Sequence, residues 1–236
     1  MIKRFLIKSV LGAAATLLIS GGLSPLASAS EEPGTSIKMA RRINGEIAIL
    51  TNEQISEAVA HLPREEKQRY STAEIQPQLI NFAQWIDCFS LNNEESVFAE
   101  YVHYWDGVGQ DVRLKCGNNT FGYKHIRSGT NGNDGKESVW QNDLNYARQA
   151  GWNSQDQGIE SWDDLMAAAV GSTVTWPEYR AVNPISQKTC GIAEFIFVDT
   201  RTGKIVWSFK NFAVWSNSND RLLTSYPQGR TDCYPR

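Results

Sequence analysis

The stretch GIAEFIFVDTRTGKIVWSFKNFAVW, residues 191–215, sets two runs of β-branched and aromatic residues on either side of TRTG. Such residues fit a pleated, half-buried surface, and a short Gly-containing connection between two such runs signals a hairpin. Residues 191–199 and 204–215 are therefore expected as antiparallel strands. The SNSND turn, 216–220, leads into RLLTSY, 221–226, a third strand ended by Pro227. Upstream of this meander, Ser138 and Gln141 make a capping box around Trp140, Leu144 and Ala147 at helical spacing, with Gly151 as a stop. Ser161 caps a second helix bearing Trp162, Leu165, Met166, Ala169 and Val170, which Gly171 is expected to end. FGYKHIRSG, 121–129, reads as a loop ahead of both helices.

The N-terminal part is less regular. Thr51 and Gln54 cap an expected helix over 52–62, and Pro63 opens a second helical piece, PREEKQRY. LINFAQWIDCF, 79–89, fits either a helix or a buried strand. SVFAEYVHYW, 96–105, reads as a strand, DGVGQ as a turn and DVRLKC as its partner. The expectation is an α+β protein, with helices packed on a C-terminal antiparallel β-meander and a mainly helical N-terminal segment. Residues 30–110 form an acidic segment of mixed helix and strand, either separate or an integral layer, and residues 111–236 an α+β domain.

Residues 1–29 carry Lys3, Arg4 and Lys8, then an apolar run rich in small residues, then Ala27-Ser28-Ala29. That is the pattern of a cleaved secretory signal peptide. No later uncharged apolar run approaches the ~20 residues that cross a bilayer, so no stable membrane insertion is expected after cleavage. An exported chain, extracellular or periplasmic, with four cysteines is expected to form two disulfides. Spacing leaves the pairing of Cys88, Cys116, Cys190 and Cys233 open; the sequence-local arrangement is Cys88 with Cys116 and Cys190 with Cys233. Residues 30–111 hold 6 Lys/Arg against 14 Asp/Glu, whereas residues 112–236 hold 14 against 12. An acidic chain argues against broad nonspecific nucleic-acid binding but leaves room for a local phosphate site in the C-terminal half.

Several chemistries fall away on spacing. There is no G-x-S-x-G elbow, phosphate-binding glycine loop or H-E-x-x-H. The three histidines, His61, His103 and His125, are not at metal-ligand spacing, and NGNDGKE, 131–137, fails the EF-hand register. No cofactor or metal is implied. Cys116 and His125 can pair as nucleophile and base, but a disulfide better suits a secreted chain. Asp163-Asp164, adjacent on a first helical turn, suits the helix dipole better than two-carboxylate chemistry. His61 fits a helix end, and His103 a packing or surface role within its strand.

His125 differs in its surroundings, because Lys124 and Arg127 set two cations within three residues of it. Metal-independent RNA cleavage needs a base for the 2′-hydroxyl, an acid for the leaving oxygen, and donors for the charge on phosphorus. Histidine titrates near neutrality and suits the first two roles. In the strand 221–226, alternation puts Leu222, Thr224 and Tyr226 on one face and Arg221, Leu223 and Ser225 on the other. Thr224 and Tyr226 can thus project together toward a phosphate, with Arg221 or Arg230 nearby.

FGYKHIR, followed by two helices and the VDTRTGKIV…RLLTSYP meander, resembles the C-terminal domains of secreted bacterial toxin ribonucleases of the barnase/EndoU/colicin-like nuclease fold. The resemblance covers residues 112–236. It implies a secreted endoribonuclease with His125, Thr224 and Tyr226 catalytic and Lys124, Arg127 and Arg221 binding substrate. It further implies RNA as partner and an immunity protein in the producing cell. The domain departs from that group in offering only one histidine, so Tyr226 or Lys124 must move the second proton. The competing class is a non-enzymatic secreted protein that binds a cell-surface glycan or a protein. It rests on eight tryptophans, of which Trp140 and Trp162 suit the core, while Trp152, Trp176 and Trp215 lie near turns or strand ends.

Overall fold

Two antiparallel sheets enclose one central helix in a computed structural model that describes residues 36–59, 82–105, 107–229 and 232–233. Strands β1 (Ile37–Ile43) and β2 (Glu46–Ile49) are followed by helix α1 (Asn52–Val59) and α2 (Phe82–Trp85), which widens into a π-helical turn, Ile86–Ser90. Strands β3 (Val97–Trp105) and β4 (Val108–Lys115) form a hairpin. Helices α3 (Gly122–Ser128), α4 (Glu137–Gln149) and α5 (Trp162–Thr175) follow. The chain closes with β5 (Tyr179–Asn183), β6 (Lys188–Asp199), β7 (Lys204–Ser216) and β8 (Leu222–Gln228). The large sheet runs β2-β1-β6-β7-β8, with β5 also paired to β6. The described residues belong to one compact unit. Residues 1–29, expected as a signal peptide, His61, PREEKQRY and Arg230 lie outside the described residues.

The 191–215 stretch is the spine of this sheet. Asp199 pairs with Lys204 across the TRTG turn, and the ladder continues to Lys188 opposite Ser216. Alternation sends Phe195, Phe197 and Phe209 inward, where Phe195 stacks on Phe209 at 5.4 Å and Trp140 meets Phe209 edge-on at 5.8 Å. Helix α5 lies between this face and the β3–β4 hairpin. Tyr101 Oη donates to the Ala167 carbonyl, 3.2 Å, from the hairpin side. Because α5 is packed on both sides, WDDLMAAAVGSTVT is apolar around most of its circumference and nearly all of it is buried. Its start follows expectation: Ser161 and Asp164 form a reciprocal capping box. Its end does not, since Gly171 lies inside the helix, which runs on to Thr175 before Pro177.

The expected mainly helical N-terminal segment is corrected by the structure. Among the described residues before 111, strands β1, β2, β3 and the start of β4 outweigh α1 and the short α2. The cause is local: Asn44-Gly45 takes positive φ at both residues, 51° and 88°, the geometry of a tight hairpin turn. The hairpin then finds β6, with Met39 opposite Phe197. Gln157 fastens it: its Oε1 accepts from Met39 N–H (2.6 Å) and Trp152 Nε1–H (2.8 Å), while its Nε2 donates to the Leu50 carbonyl (3.0 Å). The acidic segment therefore shares one sheet with residues beyond 111. LINFAQWIDCF is helical where described, α4 starts at Glu137 without the Ser138 cap, and FGYKHIRSG contains a helix instead of a loop.

Both disulfides follow the sequence-local pairing: Cys88–Cys116 (Cα–Cα 5.5 Å) and Cys190–Cys233 (Cα–Cα 6.0 Å). Among the described residues, no helix is long and apolar enough to cross a membrane.

Candidate functional site

The outer face of the large sheet, opposite α5, is concave over β5, β6, β7 and β8. On β8, Tyr226 pairs with Phe212 and Thr224 with Val214, so all four side chains point outward. The alternation expected for Leu222 fails. A β-bulge between Val214 and Trp215 shifts the register, turning Leu222 into the core and leaving Leu223 on the outer apolar cluster. Asn183, Pro184 and Lys188 from the β5–β6 connection form one wall. Asp232 and Cys233 form another, held to β6 through Cys190. Thr120 and His125 close the rim, giving an open concavity of about 910 Å³.

Helix α3 reaches this rim because its first turn is pressed against β4. Gly122 has φ 77°, and a Cβ there would meet the Lys115 carbonyl oxygen at 2.5 Å, so only glycine fits. Tyr123 and Ile126 are buried, with Tyr123 stacked on Trp162 at 5.7 Å. His125, half-buried, has Nδ1 3.0 Å from the Asn119 carbonyl oxygen. A carbonyl only accepts, so Nδ1 carries the proton and Nε2 of the neutral ring carries the lone pair. Nε2 makes no hydrogen bond among the described residues.

His125, Thr224 and Tyr226 thus line one concavity, whereas the three expected cations do not. Lys124 and Arg127 are three apart on a helix and share a face that His125 leaves by about 100°. Both lie over the Phe89 ring, at 5.6 and 5.7 Å. Lys124 Nζ donates to the Cys88 carbonyl and Asn92 Oδ1, and Arg127 Nε to Glu137 Oε2 at 3.1 Å. Arg221 stacks over Phe121 at 4.2 Å and pairs with Glu95. It belongs to an ion cluster that locks the turn before β8 to the β3–β4 hairpin: Asp220 meets Arg113 at 2.6 Å and Lys115 at 2.8 Å. Burial opposes ionisation of Asp220, but these two cations outweigh it and hold its carboxyl below the usual range.

Positive charge at the concavity comes instead from residues that sequence spacing did not single out. Lys188 lines the wall, and Lys136 Nζ lies 5.2 Å over the Tyr226 ring. Lys188 was legible in one way, standing two residues before Cys190 and so on the same strand face. Trp140 and Trp162 are core residues as expected. Trp152 and Trp215 are also buried, which removes them as exposed platforms, while Trp176 is exposed. No protein-family model, curated protein or solved structure matches this chain.

Proposed function

We propose that the chain is an exported, metal-independent endoribonuclease whose site is the outer concavity of the large sheet. The observation that carries this reading is the convergence of a histidine bearing a lone pair on Nε2 with Thr224 and Tyr226 on one concave surface. His125 Nε2 takes the 2′-hydroxyl proton, and the resulting 2′-oxygen attacks phosphorus. The bond to the 5′-oxygen breaks, and that oxygen takes a proton from the Tyr226 hydroxyl, leaving a 2′,3′-cyclic phosphate. Thr224 donates to a non-bridging oxygen, and Lys188 and Lys136 offset the charge that builds there. Phe212, buried beside Tyr226, forms the apolar floor of the concavity. The signal-peptide pattern of residues 1–29 and both disulfides support export, and a producing cell would need an immunity protein.

RNA incubated with the purified protein in EDTA should yield cyclic-phosphate ends, and His125→Ala should lower the rate by about 10²–10⁴-fold. Lys124→Ala and Arg127→Ala should stay within a few-fold of wild type. Failure to cleave both structured and unstructured RNA overturns the proposal.

A further inference from the structure

A second cleft, of about 700 Å³, lies between the β1–β2 turn, the C-terminus of α5 and β3. Its chemistry differs from that of the concavity described above. Trp176 is 61% exposed and Tyr104 54%, and both line this cleft. Singly exposed rings are ordinary, but two that line one cleft together with fixed polar groups form the kind of surface that takes a ligand. The backbone of Trp176 is fixed, because its main-chain N–H donates to the Ser172 carbonyl at 3.0 Å and Pro177 ends the helix behind it.

The polar groups around these rings are equally held. Arg42 Nε pairs with Glu194 at 3.0 Å and its Nη1 donates to the Gly45 carbonyl, while Nη2 has no partner among the described residues. Glu178 Oε1 accepts the Glu194 N–H at 2.9 Å, while Oε2 has none. The Asn44 amide, on the left-handed turn residue, also lines the cleft without a partner among the described residues. Charge is balanced: Arg42 is matched by Glu194, and Glu178 faces Arg41.

We propose that this cleft binds a neutral oligosaccharide. Trp176 and Tyr104 stack on the apolar C–H faces of pyranose rings, and Arg42, Asn44 and Glu178 hydrogen-bond the equatorial hydroxyls. A polyanion finds no excess cation here, and an acyl chain would leave the donors and acceptors unpaired. The volume lies within the range of small-ligand sites. A neighbouring cleft that shares Thr175 and Trp176 extends the surface past a single sugar. This site stands independently of the ribonuclease reading.

The test is calorimetric titration of the purified full chain with cellotetraose, chitotetraose, maltotetraose and a heparin tetrasaccharide. Binding of at least one neutral tetrasaccharide is expected, with Trp176→Ala and Tyr104→Ala each weakening it by about tenfold or more, a loss of about 1.4 kcal/mol. Trp176→Phe should retain part of the affinity, and His125→Ala all of it. Circular dichroism of each variant checks the fold. No binding by any neutral sugar, binding by the heparin fragment alone, or wild-type affinity in both alanine variants overturns the proposal.

Discussion

Two histidines in this chain have opposite environments, and the difference decides what each can do. His125 keeps one ring nitrogen without a partner among the described residues, whereas His103 is only 2% exposed and satisfied on both sides. Its Nδ1 donates to the Val174 carbonyl at 2.6 Å, and its Nε2 accepts from Arg180 Nε–H at 3.0 Å. It packs on Trp215 with ring centroids 4.8 Å apart. Burial lowers its pKa, and the facing guanidinium lowers it further against the opposing pull of the Val174 carbonyl. A depressed folded pKa means that the unfolded chain takes up the proton first. The contribution of His103 is thus fully present above the unfolded value of about 6.5 and is lost as pH falls toward the folded value. Urea denaturation between pH 7.5 and 5 should show stability falling with acidification, and His103→Gln should flatten that slope. An unchanged slope in the variant would assign the acid sensitivity elsewhere. Strand periodicity alone placed His103 on a face but could not supply Val174 or Arg180, which are about seventy residues distant.

At the scale of elements, the legible parts were those whose signal is local and repeated. The β6–β7 hairpin carries an alternating pattern on both sides of its turn, and Ser161 with Asp164 announces the start of α5. The β1–β2 hairpin carries an equally local signal, Asn44-Gly45 between IKMARRI and EIAI, beside the stronger one of the capped helix that follows. Helix α3 gives little helical signal in the sequence because it has only seven residues and no capping side chain. The difference reaches the site: in a loop Lys124, His125 and Arg127 can converge, whereas a helix separates them by about 100° per residue. The end of α5 is set by tertiary contacts. Gly171 does not stop a helix that is clasped by two sheets. A related contact explains Gly191 on β6, where an added Cβ would lie 3.1 Å from Pro177 Cβ, 3.2 Å from the Thr173 carbonyl oxygen and 3.2 Å from Trp215 Cη2. The absence of a side chain lets the end of α5 sit down on the sheet. Gly191→Ala should cost about 1–3 kcal/mol through overpacking, measured as a drop in the denaturation midpoint at constant slope. A neutral result would mean that this junction yields.

For the whole molecule, the two disulfides have similar thermodynamic weight but different places in the proposed chemistry. They close loops with sequence separations of 28 and 43 residues. Chain entropy alone assigns each about 3.5–4 kcal/mol, so removing either should cost comparable stability. Cys88–Cys116 underpins α3 from behind: Lys124 N–H donates to the Cys116 carbonyl and its Nζ to the Cys88 carbonyl. Cys190–Cys233 lies within the concavity itself. Cys190 belongs to the outer apolar cluster with Ile192, Phe212 and Val214, and Cys233 brings Asp232 to the wall. Cys190→Ser/Cys233→Ser should therefore abolish RNA cleavage at temperatures where circular dichroism still reports a folded chain, because one wall of the site is released. Cys88→Ser/Cys116→Ser should lower the melting temperature by a similar amount yet retain cleavage well below it. Binding of a neutral oligosaccharide at Trp176 should survive both double variants, since the second cleft is built from the β1–β2 turn, α5 and β3. If cleavage and sugar binding instead disappear together with either disulfide, the losses track global unfolding and the assignment of Cys190–Cys233 to the site wall is wrong.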